Sequence, residues 1–171
     1  MKPIIFVVGA GAGIGGHVAK RFAREGYHAV LCRRSNEMGL HALVDEIETD
    51  GGSAEGHLLN AVEPNTIEDK IASLESEVGP IEVVLFNLGA QIGNKMLSET
   101  TYKQFELGWR LATFALFRTV QTLAPHMEQR GSGTILVTSA TAAYRGNAGQ
   151  ASHASAMGGR RLLCQSLNAE L

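Results

Sequence analysis

Three short stretches carry residues whose types and spacing could do chemistry. The first is VVGAGAGIGG at positions 7–16. Its glycines fall where an apolar run gives way to a helical pattern. Gly9 permits a tight turn, Gly13 lets the backbone approach a pyrophosphate, and Gly15 lets a helix pack close to a strand. The N–H groups left free at a helix start, with the helix dipole, then favour phosphate charge. No Lys-Ser/Thr pair follows, so the stretch is not a P-loop. A glycine turn without a ligand is the plainer alternative; the strand–helix context favours a dinucleotide. The second stretch is LCRRS at 31–35. An acidic residue here commonly binds a ribose 2′-hydroxyl, whereas arginine suits a 2′-phosphate. Arg33 and Arg34 therefore favour NADP, with NAD possible, against the alternative of two solvated loop arginines. The third stretch runs from TILVTSA (134–140) to ASHASAMG (151–158). Ser139 closes an apolar run and lacks a GxSxG elbow, which excludes a hydrolase nucleophile.

The elements that must position these residues are legible as alternating patterns. Apolar runs of strand length are IIFVV (4–8), HAVLC (28–32), GHLLN (56–60), EVVLFN (82–87) and TILVTS (134–139). Helical spacing links Ile14, Val18, Ala19 and Phe22; then Leu40, Leu43, Val44 and Ile47; then Ile67, Ile71 and Leu74. A long helix is predicted over Thr101–Gln129, carrying Phe105, Trp109, Ala112, Leu116 and Val120. It stops after Pro125 at RGSG (130–133). A last helix starts near Ser152 and carries Leu162, Leu163, Ser166 and Leu167. Strand–helix alternation predicts βαβ units, hence an α/β fold: a three-layer α/β/α, Rossmann-like, doubly wound parallel sheet in one domain, 1–171. The first, fourth and fifth strands are continuous apolar runs, as expected of strands covered on both faces. The chain stops at Leu171 within or at the end of a helix, so the fold is expected to be cut short there.

Composition bounds the partners. The 171 residues are 44% hydrophobic and 19% charged, as in a globular chain rather than a disordered one. A net charge of −2 gives no electrostatic case for nucleic acid or an anionic membrane. No apolar stretch is long enough for a membrane span, and the N-terminal run is too short for a secretory signal. Cys32 and Cys164 have no metal-site spacing and read as buried thiols of a reducing, cytoplasmic compartment.

Taken in order, several motifs resemble the short-chain dehydrogenase/reductase family along the whole chain. Gly9-x-x-x-Gly13-x-Gly15 resembles its TGxxxGIG motif, with Val8 in place of Thr. LLNAV (58–62) is similar to the segment that contacts adenine, with Asn60 at the usual Asp. LFNLGA (85–90) resembles the NNAG turn, with Phe86 replacing the first Asn and Asn87 retained. GTILVTSA (133–140) resembles the strand bearing the active-site Ser, here Ser139. The resemblance implies an NAD(P)-binding oxidoreductase acting on a carbonyl or alcohol. It implies cofactor contacts from Gly9, Gly13, Ile14, Gly15, Arg33, Arg34, Asn60, Ala61, Asn87 and Gly89.

The departures carry equal weight. Counted by the family's usual intervals, the catalytic Tyr, Lys and Asn positions fall on Ser152, Ala156 and Ala112. A serine hydroxyl is a poor acid–base at neutral pH and alanine supplies no charge, so the usual mechanism is crippled. Substitutes within reach in sequence are His153, Tyr144 and Lys95. His153 is set about 100° round the helix from Ser152. The alternative function is a catalytically inactive nucleotide-binding protein or an interaction protein. The resemblance further implies a homodimer or homotetramer. The aromatics Phe105, Trp109, Phe114 and Phe117 fit no single narrow stripe, and a wide core-facing surface in a monomer is the other reading.

Overall fold

The computed structural model describes residues 2–89 and 93–171. The chain forms two compact units: residues up to Asn87 with Thr122–Thr138, and Leu88–Gln121 with Ser139–Leu171.

The first unit holds a five-stranded parallel sheet in the order β3-β2-β1-β4-β5. Its strands are β1 (Ile4–Val8), β2 (His28–Arg33), β3 (Ser53–Leu58), β4 (Ile81–Phe86) and β5 (Thr134–Val137). The first three are linked through α1 (Ile14–Arg24) and α2 (Glu37–Thr49), and α3 (Thr66–Ser73) leads to β4. On one face, Ile5, Val7, Leu31 and Leu85 pack against Ala19, Leu40, Leu43 and Ile47 of α1 and α2. By the period of two, Phe6, Val8 and Val30 occupy the opposite face, and Ile67 and Ile71 of α3 are wholly buried. This is the Rossmann-like α/β arrangement expected. The order reverses between β1 and β4, which places a crevice beyond their carboxyl ends. Cys32 is buried in β2, and burial pushes its thiol up to about 12. Cys32 and Cys164 are both free thiols, the second half-buried.

The second unit is helical. α4 (Tyr102–Trp109) starts at a Thr101/Gln104 capping box and runs into a π-helical turn, Arg110–Phe114, then α5 (Ala115–Arg130), whose last turns belong to the first unit. α6 (Ala151–Glu170) packs against α4 and a short turn at Thr141–Ala143. No helix among the described residues is long and apolar enough to cross a membrane.

Several expectations change. β3 starts and ends earlier than GHLLN, because Ser53–Leu58 pairs with His28–Arg33 in register. β5 pairs only with β4 and sits at an edge, so its apolar run is partly exposed rather than covered on both faces. The single long helix is interrupted. Ala115 N–H bonds the carbonyl of Arg110, five residues back, so one residue is inserted into the helical ladder. Ile14 does not join the core face of α1; it is 59% exposed. On α6, the buried residues are Ser152, Ala156, Met157 and Arg160, whereas Leu162 is exposed. Small side chains let α6 lie close to α4, and that close approach outweighs the leucines' hydrophobicity.

Candidate functional site

In the first unit, the predicted cofactor residues lie at the carboxyl ends of β1, β2, β3 and β4. Gly9 follows β1 with φ 102°, a left-handed turn that favours glycine. Its N–H, like that of Ala10, donates to the Cys32 carbonyl, tying the loop to β2. A Cβ on Gly15 would lie 2.5 Å from the Gly9 carbonyl oxygen, so α1 meets the loop as closely as glycine allows. Around Gly11 and Gly13, by contrast, a Cβ would meet nothing within 4 Å. No side chain caps α1 at Gly13, and its first turn holds no acidic residue. The space and the uncapped helix start fit a pyrophosphate. Ile14 projects into solvent beside this opening.

Asn87 begins the turn after β4. Its N–H donates to the Val8 carbonyl at 2.8 Å and its side-chain amide to the Gly9 carbonyl at 3.0 Å. Arg33, at the end of β2, is half-buried; Arg34 is exposed. Arg33 lines a cavity of about 400 Å³ between α1 and α2 with Ala12, Asn36 and Gly39. Asn36 caps α2 by accepting from Gly39 N–H at 2.9 Å, and the ion pair Lys20–Glu46 lies on the same cavity. Asn60 follows β3. Its amide donates to Glu63 at 2.9 Å, so an adenine would compete with that carboxylate. Ala61 is buried.

Sheet chemistry near the β2–β3 edge is also polar. Glu55 accepts from or pairs with His57 at 2.9 Å and lies 3.6 Å from His28. Burial pushes its carboxyl up, but the hydrogen bond and charge of His57, with His28, outweigh this and hold it below the ordinary carboxylate range.

In the second unit, Gly89 is exposed with open space around it. Ser139 is exposed too, and its hydroxyl makes no hydrogen bond to the described residues. Ser152 is buried, and its hydroxyl donates to the carbonyls of Gln104 and Phe105 on α4 at 3.4 and 3.2 Å. Ala156 is fully buried, and its carbonyl accepts from Thr113 Oγ1 at 2.8 Å. Ala112 is fully buried inside the π-turn. Tyr144 is 75% exposed, with the Arg161 guanidinium 4.6 Å from its ring centre. Lys95 donates its backbone N–H to Gly149. Among the described residues no group of His, Cys, Asp and Glu could hold a metal.

One residue of this unit escaped the sequence reading. Arg160 is 1% exposed. Its Nε donates to the Ala112 carbonyl at 2.8 Å and a terminal nitrogen to the Leu88 carbonyl at 2.6 Å. It thereby ties α6 to the π-turn and to the segment after β4. Burial drives its guanidinium down to about 10. The only signal in the sequence is an arginine one turn beyond the small residues Ser152 and Ala156, which by itself reads as solvated.

Comparison with known proteins is specific. The short chain dehydrogenase family pattern matches residues 3–171. The chain belongs to that family. A 7α-hydroxysteroid dehydrogenase of Escherichia coli K12 is 31% identical over 153 residues, which is 87% of this chain and 57% of that protein. A crystal structure of a short-chain dehydrogenase from Rhodopseudomonas palustris superposes with a TM-score of 0.93 at 37% identity, covering 99% of this chain and 78% of the other. A 7α-hydroxysteroid dehydrogenase solved with NADH and 7-oxo glycochenodeoxycholic acid gives a TM-score of 0.91 at 27% identity, over 98% of this chain and 65% of the other. The chain thus spans a little over half the length of the Escherichia coli relative.

Proposed function

We propose that the chain binds a nicotinamide dinucleotide, NADP ahead of NAD, and serves the interconversion of a carbonyl and an alcohol. The observation that carries this is the open, uncapped start of α1 beside Gly13, braced by Asn87 on Gly9. The 7α-hydroxysteroid dehydrogenase solved with NADH supports it as a relative of the same family. Gly9, Gly13, Ile14 and Gly15 bind the pyrophosphate end. Arg33 and Arg34 meet a 2′-phosphate, Asn60 and Ala61 the adenine, and Asn87 and Gly89 the remainder of the dinucleotide. When bound, the dinucleotide supplies the hydride. Ser139 hydrogen-bonds the substrate oxygen through its unengaged hydroxyl. We read residues 1–171 as one NAD(P)-binding domain of a cytoplasmic homo-oligomer. The exposed aromatics Phe105, Trp109, Phe114 and Phe117 support the oligomer, and Trp109 stacks on Phe114 at 5.4 Å between ring centres.

Titration with NADPH and then NADH, followed by nicotinamide fluorescence, tests the reading. Saturable binding that is tighter for NADPH is expected, with the preference lost in Arg33→Ala. Binding of neither overturns it and turns the chain into a Rossmann-like interaction protein.

A further inference from the structure

α2 opens with a glycine that its backbone does not require. Gly39 lies in the first turn of Glu37–Thr49 without a left-handed φ, and alanine is the better helix former at such a position. What the missing side chain leaves is room. A Cβ on Gly39 would stand 2.8 Å from Asn36 Nδ2 and 3.1 Å from Arg33 Nη1. Two polar side-chain ends therefore rest against one Cα. All three residues lie in the first unit and line the cavity between α1 and α2.

Both ends are free of partners among the described residues. Asn36 sits in the left-handed region, with φ 64°, and its side-chain oxygen accepts from the Gly39 N–H. Its Nδ2 makes no hydrogen bond to the described residues. The Arg33 guanidinium makes neither a hydrogen bond nor an ion pair with them. Each donor lies about 3 Å from the same point, so the two are at most about 6 Å apart. Two hydrogen bonds of about 2.9 Å each cover that span, so one oxyanion group can accept from both.

The charges around the cavity suit a single such group. Lys20 is paired with Glu46, the one carboxylate among the described residues that line it. Glu37, at the start of α2, lies 4.0 Å from His41 along the helix. Arg33 is left as the unpaired cation of the cavity, with the neutral Asn36 amide beside it.

We propose that Asn36 is a specificity-determining residue that donates from Nδ2 to the 2′-phosphate of the dinucleotide, beside Arg33, and that Gly39 is the positioning residue that lets both donors settle there. The inference rests on the NADP reading above. A hydrogen bond to a charged acceptor is stronger than one to a hydroxyl, so the Asn36 amide favours the phosphate over the bare ribose.

The test uses the full chain and fluorescence titration with NADPH and with NADH, which differ only in the 2′-phosphate. Asn36→Gly removes the amide, accepts the left-handed φ and changes no charge. It is expected to weaken NADPH by about three- to tenfold and to leave NADH unchanged. Asn36→Asp keeps an oxygen to cap α2 and sets a carboxylate beside the phosphate, so it is expected to invert the preference. Gly39→Ala is expected to narrow the preference while melting no lower than wild type, because it displaces only flexible side-chain ends in a helix that alanine suits. An NADPH preference that survives Asn36→Gly, or an equal loss of both dinucleotides, overturns the inference and leaves the NADP reading standing. Full preference in Gly39→Ala removes the positioning role from Gly39. Wild-type chain that binds NADH as tightly as NADPH overturns both the NADP preference and the inference, and binding of neither overturns the dinucleotide reading with them.

Discussion

The side-chain amide of Asn87 donates to the carbonyl oxygen of Gly9 across 78 residues of sequence, at 3.0 Å. It joins the turns that follow two neighbouring strands, β1 and β4, whose ends are paired at Val8 and Phe86. The glycine loop is therefore fixed by a residue that lies far from it in the chain. Asn87→Ala should leave the sheet intact and weaken NADPH binding by about two- to tenfold, the value of one net hydrogen bond. Fluorescence titration beside a urea melt separates the two effects.

Gly13 and Gly15 should part company when each is changed to alanine. At Gly15 the new Cβ would press on the Gly9 carbonyl, whereas at Gly13 it meets open space. Gly15→Ala should destabilise the fold by about 1–3 kcal/mol, as overpacking does. Gly13→Ala should melt like the wild type and lose dinucleotide affinity, because the space it fills is the ligand's. Equal dinucleotide affinity in Gly13→Ala and wild type would remove the pyrophosphate from this opening.

Arg160→Met should cost about 2–4 kcal/mol in urea unfolding. The Ala112 and Leu88 carbonyls lose a charged donor inside the protein, and bonds to charged groups are worth about 1.5–3 kcal/mol each. Arg160→Lys keeps the charge and loses the fork that serves two carbonyls, so it should fall between the two.

Glu55 gives a signed pH dependence. Its carboxyl is held below the ordinary range in the folded chain, so the native state releases its proton before the unfolded state does. The stabilisation is full above the unfolded carboxylate value of about 4.3 and disappears as pH falls through the lower folded value. Glu55→Gln should therefore be less stable than wild type near pH 6, and the two melting curves should converge in acid. A gap that persists in acid would assign the loss to packing instead.

Much of the architecture was legible because it rests on local periodicity. The runs at 4–8 and 82–87, and the buried spacings Leu40-Leu43-Ile47 and Ile67-Ile71-Leu74, each report a covered face through residue type alone. The Rossmann-like sheet and the place of the glycine loop follow from that alternation. Local reading failed where a neighbour overrode it. Phe105 to Val120 reads as one helix, yet a single inserted residue makes the π-turn at Arg110–Phe114. Leu162 reads as core and is exposed, while Arg160 by itself reads as solvated and is buried.

By itself, then, the sequence determined the order of strands and helices, the glycine loop, and the family, because these depend on residues close together in the chain. Which residues of α6 are buried, which hydroxyl is tied up on α4, and which cation is buried were decided only in the tertiary structure. A helix places successive side chains about 100° apart. A one-residue difference therefore separates Ser152, bound to backbone carbonyls, from His153, which keeps an unpaired ring nitrogen.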